Sequence, residues 1–185
     1  MEDEAIVQLY WQRNEDAIQE TRKKYGAYLG KIAWNILANR EDSEESVNDT
    51  YLCAWKSMPP QKPAMLSTYL GKLTRQLSID IYRSRNRAKR GGSEYALSLT
   101  ELEDCVSGIT TEGEVEVRLL AEALGQYLRG LSHEARTAFL RRYYFMDPVR
   151  EIAAGQGFTE SKVKSMLYRT RQGLREYLEK EGFSI

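Results

Sequence analysis

Apolar residues recur at intervals of three and four along most of this chain, and this spacing constrains the fold more than any other feature. Between residues 66 and 81, for example, the apolar stripe consists of Leu66, Tyr69, Leu70, Leu73, Leu77 and Ile81. The period-two alternation that half-buried strands require is absent, and prolines are few. The pattern predicts an all-α protein.

The first helical module is predicted to span residues 1–92. Helical spacing extends from about residue 3 to residue 38, and a third helix follows, for which Asp42 is the expected N-cap. Three prolines within 56–64 interrupt this pattern and predict a loop. A long helix from 65 to 90 completes the module.

The second module is predicted to span residues 114–185, with helices at 115–128, 133–145, 148–154 and 160–179. Ser132 is the expected N-cap of the second helix, and Asp147 followed by Pro148 marks the start of the third. The third helix ends at glycines, and Thr159 then restarts the chain into the fourth. This is the layout of a helix-turn-helix, whose second helix enters the major groove of DNA.

Charge is segregated along the chain, although the formal net charge is zero. One basic block lies in the helix at 65–90 and a second in the last helix, at 162–175. Between them, residues 93–113 are acidic and rich in Ser and Thr, which predicts a tether with at most a short helical turn. Two DNA-contacting modules joined by an acidic linker fit this distribution.

Candidate DNA-contacting residues follow from these positions. In the helix-turn-helix, residues early in the second helix reach base edges and later cations suit phosphates. The predicted set is Ser161, Lys162, Lys164, Ser165, Met166, Arg169 and Arg171. On the 65–90 helix, the predicted set is Lys72, Arg75, Gln76, Ile79, Arg83 and Arg87. An alternative to DNA binding remains open at this point, namely that the basic faces of these two helices only keep the protein soluble.

Composition excludes several other classes. No apolar run approaches the roughly 20 residues that cross a bilayer, and the acidic start lacks a signal-peptide pattern. We therefore expect a cytoplasmic protein with no membrane partner. Cys53 and Cys105 lie far apart, and His133 is the only histidine. We expect no metal, no cofactor and no catalytic residues, so the chain is predicted not to be an enzyme.

Four segments together resemble a known family. They are DSEESVNDTYL at 42–52, YLGKLTRQLSID at 69–80, EIA at 151–153 and VKS at 163–165. Their order and spacing resemble those of bacterial RNA polymerase sigma factors, and the short two-module form is similar to the extracytoplasmic-function (ECF) class.

The resemblance implies three binding surfaces. The helix at 42–57 would bind core RNA polymerase, through Glu45, Asn48, Asp49 and Leu52. The 65–90 helix and the loop before it would read and melt the minus-ten promoter element. The helix-turn-helix would read the minus-thirty-five element of the promoter DNA. The sequence leaves open whether an anti-sigma factor is a further partner.

Some residues depart from the family pattern. Gln76 and Met166 stand where many relatives have Asn and Arg, and Gly155-Gln156 replaces an apolar pair, which predicts looser packing of the first helix of the pair.

Two other functions remain open: a stand-alone helix-turn-helix regulator, and a helical protein-interaction module. The helix at 42–57 argues against both, because neither requires it.

Overall fold

The computed structural model describes residues 1–85, 93–106 and 114–183, except for the side chains of 104–106 and 114. Every regular element in these ranges is an α-helix. The helices are α1 (Asp3–Trp11), α2 (Asp16–Leu37), α3 (Arg40–Ser57), α4 (Leu66–Arg85), α5 (Glu94–Val106), α6 (Glu114–Gly130), α7 (His133–Tyr143), α8 (Val149–Gln156) and α9 (Glu160–Lys180). The all-α prediction is confirmed. No helix in the described part of the chain is long and apolar enough to cross a membrane.

The chain divides into two compact units, Met1–Ser93 and Glu94–Ile185. In the first, α2, α3 and α4 pack on one another and α1 packs on α2. The core contains Ile6, Tyr10, Leu29, Met58 and Leu70, all fully buried. Each comes from an apolar stripe of the sequence, so burial of these stripes holds the unit together.

Residues 3–38 form two helices, α1 and α2, and the turn between them contains Arg13 with a left-handed φ of 55°. One cap in the first unit differs from the sequence-based prediction. The N-cap of α3 is Asn39, whose side chain accepts from the Asp42 backbone N–H at 3.0 Å. Asp42 itself lies inside the helix. The predicted proline loop is present and occupies 58–65 between α3 and α4.

In the second unit, α9 contacts α5, α6, α7 and α8. Ser132 caps α7 and Thr159 caps α9 through side-chain hydrogen bonds, as predicted. The predicted cap of α8 is wrong: Pro148 occupies the N-cap position, and the Asp147 carboxylate instead accepts a hydrogen bond from Arg141 at 2.7 Å. An ion pair has replaced the capping interaction there.

The predicted tether contains a helix that the composition did not indicate. α5 packs on α7 and α9, and Leu102 lies against the core of the second unit. Tyr95 and Ser98 are buried, and the Ser98 hydroxyl contacts the sulfur of Met146 at 3.2 Å. Thus 94–106 belongs to the second unit; the rest of the predicted linker, 107–113, lies outside the described residues.

Candidate DNA and polymerase interfaces

One face of α3 carries all four residues predicted to bind polymerase. Glu45, Asn48, Asp49 and Leu52 are spaced by three and four residues, which places them on one side of the helix. The opposite side, with Ser46, Thr50 and Ala54, is buried. Leu52 is 48% exposed on an otherwise polar face. A single exposed apolar side chain is ordinary on a protein surface, so this face is a candidate because of its resemblance to a polymerase-binding segment.

A groove between α2 and α3 extends this face, and the sequence-based prediction did not include it. It encloses about 700 Å³ and is lined by residues that include Gly26, Gly30, Trp34, Val47 and Tyr51. Glycines four apart leave the surface of α2 open, because a Cβ at Gly30 would meet no atom within 4 Å. The Gly-x-x-x-Gly spacing, followed by an exposed Trp34, is the sequence signal that could have identified it.

Buried hydroxyl groups join α3 to α4. The Thr50 and Thr74 hydroxyls lie 2.9 Å apart, and the Ser46 and Ser78 hydroxyls lie 2.8 Å apart. The Thr50 and Thr74 hydroxyls each also lie within hydrogen-bond distance of a backbone carbonyl one turn earlier, so one of them donates across the pair and the other donates to its own helix. The small side chains allow close approach of the helices, and their hydrogen bonds fix the register of one helix on the other.

Close packing of α4 also requires Gly71. A Cβ at that position would lie 2.7 Å from the hydroxyl of Tyr28 on α2. The absence of a side chain at Gly71 therefore sets the distance between α2 and α4.

The outer face of α4 carries part of the predicted minus-ten set. Lys72, Gln76 and Arg83 are exposed and share one side of the helix. Arg75 is partly buried. Ile79 is only 8% exposed and packs inside the unit, so the structure does not support its predicted contact with DNA. Arg87 lies outside the described residues.

Arg85 at the end of α4 pairs with acids of α3. Its guanidinium contacts Asp42, and its Nη2 lies 3.1 Å from an oxygen of Glu45. Glu45 is thus shared between the predicted polymerase face and an ion pair to the predicted DNA-reading helix.

The segment predicted to be a helix-turn-helix consists of α8, a short turn and α9. α8 ends at Gly157, whose φ of 66° is the left-handed conformation that favours glycine. The Phe158 N–H returns to the Ala153 carbonyl at 2.9 Å, and the Thr159 hydroxyl accepts from the Lys162 N–H at 3.2 Å. Capping leaves the start of α9 well defined, which is where groove contacts are made.

Most of the predicted contacts on α9 face solvent. Ser161, Lys162, Lys164, Ser165 and Arg169 are exposed, and the Lys162 amine lies 3.4 Å from the centre of the Phe158 ring. Met166 is partly buried against the core of the unit, which explains why an apolar residue is tolerated there.

Tyr168 was not predicted, yet it is 56% exposed one turn after Lys164. An exposed aromatic ring on a basic helix is the signal that could have identified it. Its phenol adds an exposed hydroxyl, a group that contacts phosphates or base edges.

The Gly155-Gln156 pair, where looser packing was predicted, lies against α7. A Cβ at Gly155 would lie 2.4 Å from the guanidinium of Arg141, so the glycine makes room for the Arg141–Asp147 ion pair. The Gln156 amide donates to the Glu134 carbonyl at 2.9 Å and ties α8 to the start of α7. Polar contacts have replaced the apolar ones.

A buried arginine on α7 organises the acidic helix α5. Arg142 is 2% exposed and donates to Glu94 at 2.6 Å and to Glu101 at 2.7 and 3.2 Å. Burial raises the pKa of Glu101, but the hydrogen bonds from Arg142 and Tyr143 outweigh it, so the pKa lies below its ordinary value. Burial and the neighbouring Glu101 carboxylate raise the pKa of Tyr143. At neutral pH, therefore, the Glu101 carboxylate of this cluster is negatively charged and the Arg142 guanidinium is positively charged.

Arg171 belongs to this cluster rather than to the free surface. Its side chain is 12% exposed, donates to the Tyr143 hydroxyl at 2.6 Å and lies 3.6 Å from Glu101. The structure therefore gives this predicted phosphate contact an internal partner, whereas Lys164 on the same helix is exposed.

Comparison with known proteins supports a family assignment. Residues 21–88 match the family model for sigma-70 region 2. The ECF RNA polymerase sigma factor SigE of Mycolicibacterium smegmatis is 25% identical over 163 residues, which cover 88% of this chain and 62% of that protein. The solved structure of CnrH in complex with the cytosolic domain of CnrY aligns with 97% of this chain and 99% of that chain, at 18% identity and a TM-score of 0.45.

The region 2 match covers α3, α4 and the loop between them, where two of the three candidate surfaces lie. Residues 21–88 thus resemble sigma-70 region 2, and the chain is similar over 88% of its length to an ECF RNA polymerase sigma factor. It spans 62% of the length of the SigE relative.

Proposed function

We propose that this chain binds core RNA polymerase, directs it to specific promoters and assists promoter melting. The observation that carries the proposal is the sigma-70 region 2 match at 21–88, together with the exposed α3 face inside it.

In this proposal, each of the three surfaces binds a different target. The α3 face and the adjoining groove bind polymerase; α4, with Lys72, Gln76 and Arg83, and the loop 58–65 read and melt the minus-ten element. The start of α9 reads the minus-thirty-five element through Ser161, Lys162 and Ser165. The exposed positions of these residues support this division.

The hydroxyl pairs between α3 and α4 have a role in this proposal. Because Thr50–Thr74 and Ser46–Ser78 fix the two helices in one register, α4 is held at a defined position relative to whatever α3 binds. Polymerase binding on α3 thereby determines where α4 meets the DNA.

The chain acts as a non-enzymatic subunit in this proposal, and catalysis belongs to the polymerase. An anti-sigma factor is proposed as a regulator that covers the α3 face. The exposed Leu52 and Trp34 support such a partner, since both present apolar area that a competing protein would bury.

Run-off transcription tests the proposal. Purified core polymerase is combined with this chain and a library of duplex promoters, and specific transcripts are sequenced. Specific initiation that depends on the chain is the expected result. Operator binding without initiation would support a stand-alone helix-turn-helix regulator. Binding to acidic proteins alone, with neither DNA binding nor initiation, would support an interaction module.

An α3 variant localises the polymerase surface. Leu52→Arg places a charge where the proposal expects an apolar contact, and it should weaken core binding at least tenfold. Lys23→Ala, an exposed change on α2, is the matched control and should bind as the wild type does.

A further inference from the structure

The N-terminal helix α1 and the turn after it contact the segment that connects α3 to α4. The Trp11 indole N–H donates to the Gln61 carbonyl at 3.2 Å, within the loop 58–65. The Arg13 guanidinium donates to the Trp55 carbonyl at 2.6 Å and lies 5.4 Å from the centre of the Trp55 ring. One turn of chain therefore holds both the last turn of α3 and the middle of the loop.

The beginning of α1 contacts the other end of the same loop. Asp3 accepts hydrogen bonds from Lys24 at 2.7 Å and from Tyr25 at 2.5 Å, and it also interacts with the backbone N–H of Leu66, the first residue of α4. Asp3 and Val7 line a cleft of about 330 Å³ whose opposite wall is 62–64. α1 thus contacts the loop 58–65 at Gln61, contacts the first residue of α4, and lines a cleft together with 62–64.

The backbone at Arg13 is arranged for this contact. Its φ of 55° is a left-handed conformation that residues other than Gly, Asn and Asp rarely adopt. The turn is fixed on both sides, because the Asn14 N–H returns to the Leu9 carbonyl at 3.0 Å and the Asn14 side chain caps the Asp16 N–H at 2.9 Å. An otherwise unfavourable conformation is kept where it directs a guanidinium at Trp55.

We infer that α1 positions the loop 58–65 for promoter melting, with Trp11 and Arg13 as the positioning residues. α1 lies before residues 21–88, so the region 2 match does not include it. The inference rests on the proposed function. Trp11 and Arg13 are both exposed, so their hydrogen bonds contribute little to the stability of the unit. What these bonds fix is the position of the loop.

The test uses two substitutions that spare the fold. Trp11→Phe keeps the ring and removes the N–H donor. Arg13→Asn removes the guanidinium, and Asn tolerates the left-handed backbone. The double variant, the two single variants, the wild type and the Lys23→Ala control are each assembled with core polymerase. A promoter selected by run-off transcription is used as full duplex and as a heteroduplex already unpaired across the minus-ten element.

Opening of the promoter duplex is measured by the permanganate reactivity of unpaired thymines. The double variant should open the duplex about tenfold more slowly, because the loop without these contacts occupies the position required for melting less often. It should initiate within about twofold of the wild type on the unpaired promoter, with unchanged core affinity and unfolding midpoint.

Two results would overturn the inference. One is duplex opening by the double variant at the wild-type rate. The other is an equal loss on both promoters together with a lowered unfolding midpoint, which would assign Trp11 and Arg13 a purely structural role. If the single variant Trp11→Phe keeps the wild-type unfolding midpoint, its rates of initiation on the two promoters alone decide between a positioning role and a structural role. Absence of initiation by the wild type would instead overturn the proposed function itself.

Discussion

Glu101 on α5 accepts hydrogen bonds from the Arg142 guanidinium on α7 at 2.7 and 3.2 Å, a two-point contact across 41 positions of sequence. Planar guanidinium and carboxylate groups match in this arrangement, which adds directional specificity to the charge attraction. Because Arg142 is almost completely buried, its charge depends on Glu101 and Glu94 for compensation. α5 is therefore a structural part of the second unit.

Removing one carboxylate from this cluster should destabilise the second unit selectively. We expect Glu101→Gln to lower its free energy of unfolding by about 2 kcal/mol, less than the roughly 3–5 kcal/mol for a fully buried pair because Glu101 is partly exposed. Hydrogen exchange of the α5 and α7 amides measures the effect. Glu103→Gln, an exposed change on the same helix, is the control, and equal effects of both changes would contradict the assignment.

The three tryptophans give an internal reference for that experiment. Trp11, Trp34 and Trp55 all lie in the first unit, so tryptophan fluorescence reports the unfolding of that unit alone. Glu101→Gln should leave this signal unchanged.

Acid should weaken the same cluster, and the sign follows from the pKa of Glu101. Burial raises this pKa, but the hydrogen bonds from Arg142 and Tyr143 lower it by more, so the net pKa lies below the ordinary one. The unfolded chain therefore binds the proton more readily. The stabilisation is complete above the ordinary pKa of about 4.3 and is lost as pH falls through the lower pKa of the folded state.

Urea unfolding followed by far-UV circular dichroism checks this from pH 7 to pH 3. The stability difference between the wild type and Glu101→Gln should shrink as pH falls. A difference that stayed constant over that range would show that Glu101 is not the titrating group.

Local signals in the sequence predicted the local features of this fold. Ser132 and Thr159 cap their helices because a hydroxyl before a helix satisfies a nearby N–H whatever the rest of the chain does. Asn39 and Asp42 are three residues apart, and both residue types cap well, so the composition could not decide between them. Exposure of most residues on the predicted DNA faces could also be predicted locally, because helical spacing places charged and apolar residues on different sides of a helix.

Tertiary pairing explains what the sequence did not reveal. The segment 94–106 has the acidic, Ser/Thr-rich composition of a tether, and its pairing with Arg142, together with the packing of Leu102, makes it part of the second unit. Arg171 resembles Lys164 in sequence terms, but it faces Tyr143 and Glu101. Ile79 sits among the basic residues of α4 and is nevertheless buried. In each case a partner more than 20 positions away, or the packing of a whole unit, determines the outcome.

A pair of glycine substitutions tests how α2 and α4 pack. Gly71→Ala places a Cβ 2.7 Å from the rigid Tyr28 hydroxyl, and we expect a net loss of about 1–2 kcal/mol as the helices separate. Gly30→Ala meets no neighbouring atom, so the better helix propensity of alanine should stabilise the same unit by up to about 1 kcal/mol. Urea unfolding followed by tryptophan fluorescence measures both. Effects of the same sign would contradict the packing role of Gly71.

The cations of α9 should differ in their contribution to DNA binding. Lys164 is exposed on the recognition helix, whereas Arg171 is engaged with Tyr143 and Glu101. Each phosphate contact releases about one counterion, so Lys164→Ala should lower the slope of log affinity against log salt by about one. Arg171→Ala should change that slope much less and instead destabilise the second unit.

Holoenzyme binding to a fluorescent promoter fragment, measured by anisotropy between 50 and 200 mM salt, provides these slopes. Lys180→Ala, in the last turn of α9 and far from its start, is the control and should behave as the wild type does. A larger slope change for Arg171→Ala than for Lys164→Ala would mean that α5 moves away from α9 when DNA binds, because only then can Arg171 reach a phosphate.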